Sequence, residues 1–180
     1  MDNIYLVNYR TTNCEPLKSI TRLPEKEAFE LAEKLYKENP VPGFERFGAG
    51  FESYYYHRIK AEKWLYDEFT AIGGKPQTEH PLYFFVHEWD IVDKLWENKT
   101  DKIMKKIALN EIDICDVSFT FGDSCAMLDR PDRKAPFLKD KLQEYIFQNG
   151  NDINKLLDNV NQQVGHRVIE AHIWNDKYFK

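Results

Sequence analysis

The chain has 180 residues, 42% hydrophobic, 14% aromatic and 31% charged, and 30 acidic residues against 25 Lys and Arg give a formal net charge of −5. That length predicts one domain whose core needs no disulfide or metal staple, and 12 Phe, 10 Tyr and 4 Trp argue against a disordered chain. The acidic balance disfavours a general nucleic-acid coat or a polybasic membrane binder, although it leaves room for a local basic groove.

Ile4 to Tyr9 is rich in β-branched and aromatic residues and short enough for a first strand. Arg10-Thr11-Thr12-Asn13 suits a turn or cap, and Leu17 with Ile20 suits a helical turn. Pro24 opens a helix carried by Ala28, Leu31, Ala32 and Leu35 to about Glu38. Two prolines and three glycines make Asn39 to Phe51 a long loop, and Phe44 and Phe47 are expected to fold back onto the core. Tyr54 to Ile72 reads as a helix through Ile59, Leu65, Phe69 and Ile72, ended by Gly73-Gly74. Leu82 to Val86 reads as a buried strand, followed by a short helix around Trp89 to Trp96. Further strands are expected at Ile103 to Leu109 and Asp116 to Phe121, the latter ended by Gly122-Asp123-Ser124. After a charged loop from Arg130 to Pro136, one helix runs over Phe137 to Ile146 and another carries Ile153, Leu156, Leu157 and Val160. Arg167 to Trp174 closes the chain as a strand with Ile169, Ala171 and Ile173 on one face and Val168, Glu170, His172 and Trp174 on the other. The mixed order predicts a single α+β domain, residues 1–180, with a mixed or antiparallel sheet packed by several helices.

Met1-Asp2-Asn3-Ile4 does not open a secretory signal, and no apolar run approaches the ~18 residues of a spanning helix. Cys14, Cys115 and Cys125 are odd in number and lack zinc-ligand spacing, so free thiols in a reducing compartment are expected. A cytoplasmic protein with no membrane partner and no metal follows as the expectation. Phosphate loops, dinucleotide fingerprints, nucleophile elbows and HExxH helices are all missing from the sequence. His80 and His87 lie at opposite ends of one predicted strand, too far apart for a compact metal site. Cys14, near a strand end, has the chemistry of a nucleophile, but the commoner role of such a cysteine is that of a small buried hydrophobe.

Three places concentrate chemistry. Tyr9-Arg10-Thr11-Thr12 puts polar groups where the first strand ends, and Tyr54-Tyr55-Tyr56-His57-Arg58 opens a helix. Glu170 interrupts the last apolar strand. An antiparallel sheet commonly wets one side, so the expected place for Glu170 is a solvated face, and the alternative is a carboxylate held inward. For Arg58 the ordinary arrangement is a surface pair with Glu62 at i+4. For Tyr83 it is core packing.

The order of an opening strand with Tyr9 and Thr11, an Arg-bearing helix, Leu82-Tyr83-Phe84-Phe85, then Val117 to Leu128, then Glu170 in a late strand, resembles the DarT-type ADP-ribosyltransferases. That resemblance implies NAD as cosubstrate, Glu170 as the catalytic carboxylate and Arg58 as the arginine that meets the charged groups of NAD. It further implies that Tyr83 lines the nicotinamide pocket and that Tyr9 and Thr11 form its edge. The family's first-strand histidine has no counterpart, because Asn8-Tyr9-Arg10 stand there. The rival expectation is a non-enzymatic binding or regulatory protein, whose interaction surface would use the aromatics of Phe44 to Tyr56 with Trp89, Trp96 and Trp174. A hydrolase using acid pairs such as Asp67-Glu68 or Asp113 and Asp116 has only chance spacing behind it.

Overall fold

A computed structural model describes residues 4–12, 19–38, 44–95 and 102–179. Cys14, Leu17 and Trp96 lie outside the described residues. The architecture is α+β: five strands in one wholly antiparallel sheet with helices on both faces. The strands are β1 (Tyr5–Thr11), β2 (Leu82–Val86), β3 (Lys102–Ala108), β4 (Val117–Phe121) and β5 (Ile169–Ile173), arranged in the order β3-β1-β2-β5-β4. The helices are α1 (Glu25–Glu38), α2 (Phe51–Ala71), α3 (Asp90–Leu95), α4 (Ser124–Met127), α5 (Lys139–Gln148) and α6 (Ile153–Val164). Among the described residues, no helix is long and apolar enough to cross a membrane.

Strand alternation sorts the sheet into two faces. Leu6, Phe84, Ile107, Phe119, Ala171 and Ile173 point to one face, where Leu142 and Ile146 of α5 and Leu156, Leu157 and Val160 of α6 complete the main core. The α6 helix is fixed at its start by Asp152, whose side chain accepts from the backbone N–H groups of Asn154 and Lys155 at 2.9 and 3.3 Å. Its end turns at Gly165, in the left-handed region at φ 76° that favours glycine.

The opposite face carries Tyr83, Phe85, Ser118, Thr120, Glu170 and His172, and α1 and α2 cover that side. Every residue of β4 and β5 is therefore buried, including Ser118, Thr120, Glu170 and His172. The solvated face expected for Glu170 does not exist. The alternation reads the same from sequence whether a polar face meets water or a helix.

The α2 helix starts three residues before the expected Tyr54, and its stripe differs too. Ile72 is exposed, and the residues that face inward are Phe51, Tyr55, Arg58, Glu62, Leu65 and Phe69, spaced four and three apart along one seam. Two charged residues thus occupy the middle of a buried helical seam. The aromatic segment before it does fold back: Phe44 and Phe47 pack with Leu35 and Leu31, and Phe51 and Tyr55 pack edge-on against Phe29 of α1 and obliquely against each other.

Phe119 lies at the centre of the main core and stacks on Phe137 at 5.9 Å. Truncation leaves a cavity that the rigid sheet cannot close, so Phe119→Ala is expected to cost about 3–5 kcal/mol in urea unfolding. A loss below 1 kcal/mol would mean that the two layers do not pack as described.

Candidate functional site

The site is built on the sheet face that α2 covers. Tyr83 and His172 are directly opposed across β2 and β5, Ser118 opposes His172 across β4 and β5, and Phe85 and Thr120 flank Glu170. Short cross-strand distances force these side chains to answer one another.

Glu170 is 5% exposed. Its Oε2 accepts three hydrogen bonds: from the Ser124 backbone N–H at 2.9 Å, from the Ser124 hydroxyl at 2.5 Å and from His172 Nε2 at 3.1 Å. Among the described residues, Oε1 accepts none. The Ser124 N–H is available because the first turn of a helix has no intrahelical acceptor. Ser124 reaches the carboxylate because the chain reverses at Gly122, which sits at φ 79° with Met127 close to where a side chain would stand. Asp123 then caps α4 by accepting from Ala126 N–H at 2.9 Å.

Burial by itself would raise the Glu170 carboxyl, but the bonds from His172 and Ser124 outweigh it and hold the group below its ordinary value. Asp123 goes the other way: burial, reinforced by the neighbouring Glu170 charge, pushes it up. Burial also pushes the Cys125 thiol up to about 12, so this sulfur is not a thiolate nucleophile at neutral pH.

Arg58 approaches from α2. Its guanidinium lies 3.9 Å above the Tyr83 ring, its Nε donates to Glu62 Oε1 at 3.0 Å and its Nη1 donates to the Tyr54 hydroxyl at 2.7 Å. The expected i+4 pair is present, but it is buried and not a surface pair, since Glu62 is fully enclosed. Glu62 Oε2 also meets His80 Nδ1 at 2.6 Å. Burial would raise the Glu62 carboxyl, but His80 and Arg58 overcome it and hold it low. Tyr83 joins the two clusters, with Arg58 on its face and the His172 ring edge-on at 5.3 Å. Its buried hydroxyl has no hydrogen-bond partner among the described residues.

The structure therefore brings Glu170, Tyr83 and Arg58 together and sets Tyr9 one step aside. Tyr9 donates to Asp93 at 3.2 Å, accepts from the Trp89 N–H at 3.0 Å and meets Phe85 at 6.1 Å between ring centres. Thr11 ends β1 opposite Lys102. His172, Ser124 and Asp123 were not singled out from sequence, and Glu62 was expected only as a surface partner of Arg58. The signal that could have found them is a matched pair of alternating strands, Val-Ser-Phe-Thr-Phe and Ile-Glu-Ala-His-Ile, together with the two charges in the α2 seam. Among the described residues, no cluster of three or more His, Cys, Asp or Glu could hold a metal ion.

Comparison with protein-family models, with curated proteins and with solved structures found no match for this chain.

Glu62 and Glu170 both titrate lower in the folded chain than in the unfolded one. Each therefore adds stability that is present above the ordinary glutamate value of 4.5 and is lost as pH falls through the folded value. Glu62→Gln, which strips a buried arginine of its counter-charge, is expected to cost about 3–5 kcal/mol at pH 7. The deficit should shrink as the pH drops below 4.5, where the carboxyl of the unfolded wild-type chain takes up a proton first and the folded one follows at its lower value. Urea unfolding of both proteins between pH 3 and pH 7 checks this, and a deficit that stays constant across the range contradicts it.

Proposed function

We propose that this chain is an ADP-ribosyltransferase-like enzyme that uses NAD, with Glu170 as its catalytic carboxylate. The observation that carries the reading is the asymmetry of Glu170: three donors fix Oε2, and Oε1 is left for a reacting group. A carboxylate held this way is already oriented, so it opposes developing positive charge without reorganising. NAD supplies a ribose whose bond to nicotinamide breaks with the electron pair leaving on nicotinamide. Oε1 is suited to stabilise the positive charge that grows on that ribose and to take the proton from the incoming acceptor.

Two further features support the fit of NAD. The buried Tyr83 hydroxyl lacks a partner among the described residues, and a bound amide would satisfy it. Arg58 commits Nε and Nη1 but makes no bond through Nη2 among the described residues, and a guanidinium suits a pyrophosphate because its donors form a planar fork. The sheet also parts beside these groups. The β1–β2 ladder holds only Leu6–Val86 and Val7–Phe85, after which Asn8 Nδ2 donates to the Tyr83 carbonyl at 2.9 Å. Tyr9 and Thr11 follow on β1 beyond that pair, a position that suits the edge of a cofactor. The net charge favours an acceptor other than nucleic acid.

Several of the aromatics that suggested a partner surface are taken up by packing, whereas Tyr56 is exposed and Trp96 lies outside the described residues. Phe44, Phe51 and Tyr55 are buried, Trp174 is fully enclosed, and the exposed large apolar side chains, such as Tyr36, Tyr56, Ile91 and Phe147, are spread over separate helices.

NAD binding to the native chain should raise the melting temperature, because a ligand that binds only the folded state stabilises it by mass action. Glu170→Gln is expected to keep that thermal shift and to lower nicotinamide release by at least about 100-fold. Arg58→Lys should instead reduce the shift itself. An absence of both a thermal shift and nicotinamide release in the wild-type chain at millimolar NAD overturns the proposal.

A further inference from the structure

Behind Glu170 runs a line of hydrogen bonds whose directions can be assigned. Trp174, His172 and Glu170 stand at alternate positions of the chain at β5 and project to the same side, and Ser118 of β4 lies between the first two. Trp174 Nε1 donates to the Ser118 hydroxyl at 2.9 Å, Ser118 Oγ meets His172 Nδ1 at 3.2 Å, and His172 Nε2 meets Glu170 Oε2 at 3.1 Å. All four residues are buried.

An indole N–H can only donate, so Ser118 Oγ accepts there. Its one proton then has a single partner in reach, His172 Nδ1, and leaving a buried hydroxyl proton unpaired would cost about 1–3 kcal/mol. Nδ1 therefore accepts, and the ring proton resides on Nε2, where it is donated to the carboxylate. A doubly protonated His172 would leave the Ser118 proton with nowhere to go. The indole that begins the line is itself held by packing: it stacks on Phe69 of α2 at 5.5 Å, and Tyr66 meets it edge-on.

We propose that Ser118 and Trp174 are positioning residues, which lock His172 as the neutral Nε2–H tautomer so that Glu170 is fixed through Oε2 and reacts through Oε1. This inference rests on the transferase reading for its kinetic consequence but not for its structural one. It makes His172 a standing donor and not an acid or base that cycles its proton. The ionisable and charged groups that face Glu170 are Tyr83 from β2, Arg58 and Glu62 from α2, Asp123 and Cys125 from the turn into α4, and His172 on its own strand. A locked imidazole lets this set change protonation without changing the donor.

Nitrogen-15 NMR of the histidine rings in the full chain tests the tautomer directly. The expected wild-type signature for His172 is a protonated Nε2 and an unprotonated Nδ1. Ser118→Ala should abolish that signature, and Ser118→Thr, which keeps the hydroxyl, should restore it. Trp174→Phe keeps the stack on Phe69 and removes only the donor, so it provides the same loss if Ser118→Ala does not fold. In nicotinamide release from NAD, Ser118→Ala should lower kcat by up to about 100-fold with KM little changed, and Ser118→Thr should recover most of it. A wild-type His172 protonated at Nδ1, or Ser118→Ala and Ser118→Thr that behave alike, overturns the proposal. If the wild-type chain releases no nicotinamide, the transferase reading fails, and the nitrogen signals alone then uphold or overturn the relay.

Discussion

An ionised carboxylate in a dry interior costs several kcal/mol unless donors replace the water it has lost. Glu170 meets that condition through its neighbours, and much of the surrounding architecture follows from it. The donor pair from Ser124 requires a reversal directly after β4, which Gly122 permits at φ 79° and Asp123 caps. The donor from His172 requires Ser118 at the opposed position of β4. Ser118 in turn takes its direction from Trp174, and Trp174 is seated by Phe69 near the end of α2. Three strand-borne side chains, one turn and one long helix are thus bound to a single oxygen.

The same helix brings in the compensating charge. Arg58 and Glu62 take two positions of a seam otherwise filled by Phe51, Tyr55, Leu65 and Phe69. A buried ion pair rarely adds stability over an apolar replacement, but removing one half is severe. Tyr83 lets the pair and the Glu170 cluster share one continuous surface, because an aromatic ring accepts a cation on its face and a ring edge beside it. The Arg58 guanidinium is paired with Glu62, and no such pair serves Asp123. Burial, with the Glu170 charge beside it, pushes the Asp123 carboxyl toward the neutral form.

Most of the fold was legible because periodicity and punctuation agreed. Leu82 to Val86 is the strand expected, α6 begins where Ile153 follows its aspartate cap, and Asn149-Gly150 ends α5. Glu170 was picked out because a charge interrupts an apolar strand, and Arg58 and Tyr83 were named through the family resemblance. Their environments were not legible. Alternation records which residues share a face, but whether water or a helix covers that face depends on α2, some hundred residues earlier in the chain. The seam of α2 was misread for the same reason: Arg58 and Glu62 look like a solvated pair until something is packed over them. His172 and Ser118 carry no local signal, since their role exists only across the β4–β5 ladder.

The short β1–β2 ladder divides the sheet into a fully paired block and a parting beside it. Glu170 lies on the well-paired part of the sheet, with β5 bonded along its length to β2 on one side and β4 on the other. Tyr83 lies on the same paired block, but on its other side the partner strand is absent: in the register set by Val7 and Phe85, Tyr9 would oppose Tyr83, yet β1 by then runs with β3 alone. The groups that must hold still are therefore bound on both sides, and the residues beside the parting are bound on one. At the parting the Asn8 side chain takes up the Tyr83 carbonyl in place of a strand partner, and Glu170 lies one strand further in. The separation of a carboxylate on fully paired strands from a locally unpaired strand edge follows from the strand order and the short β1–β2 overlap alone.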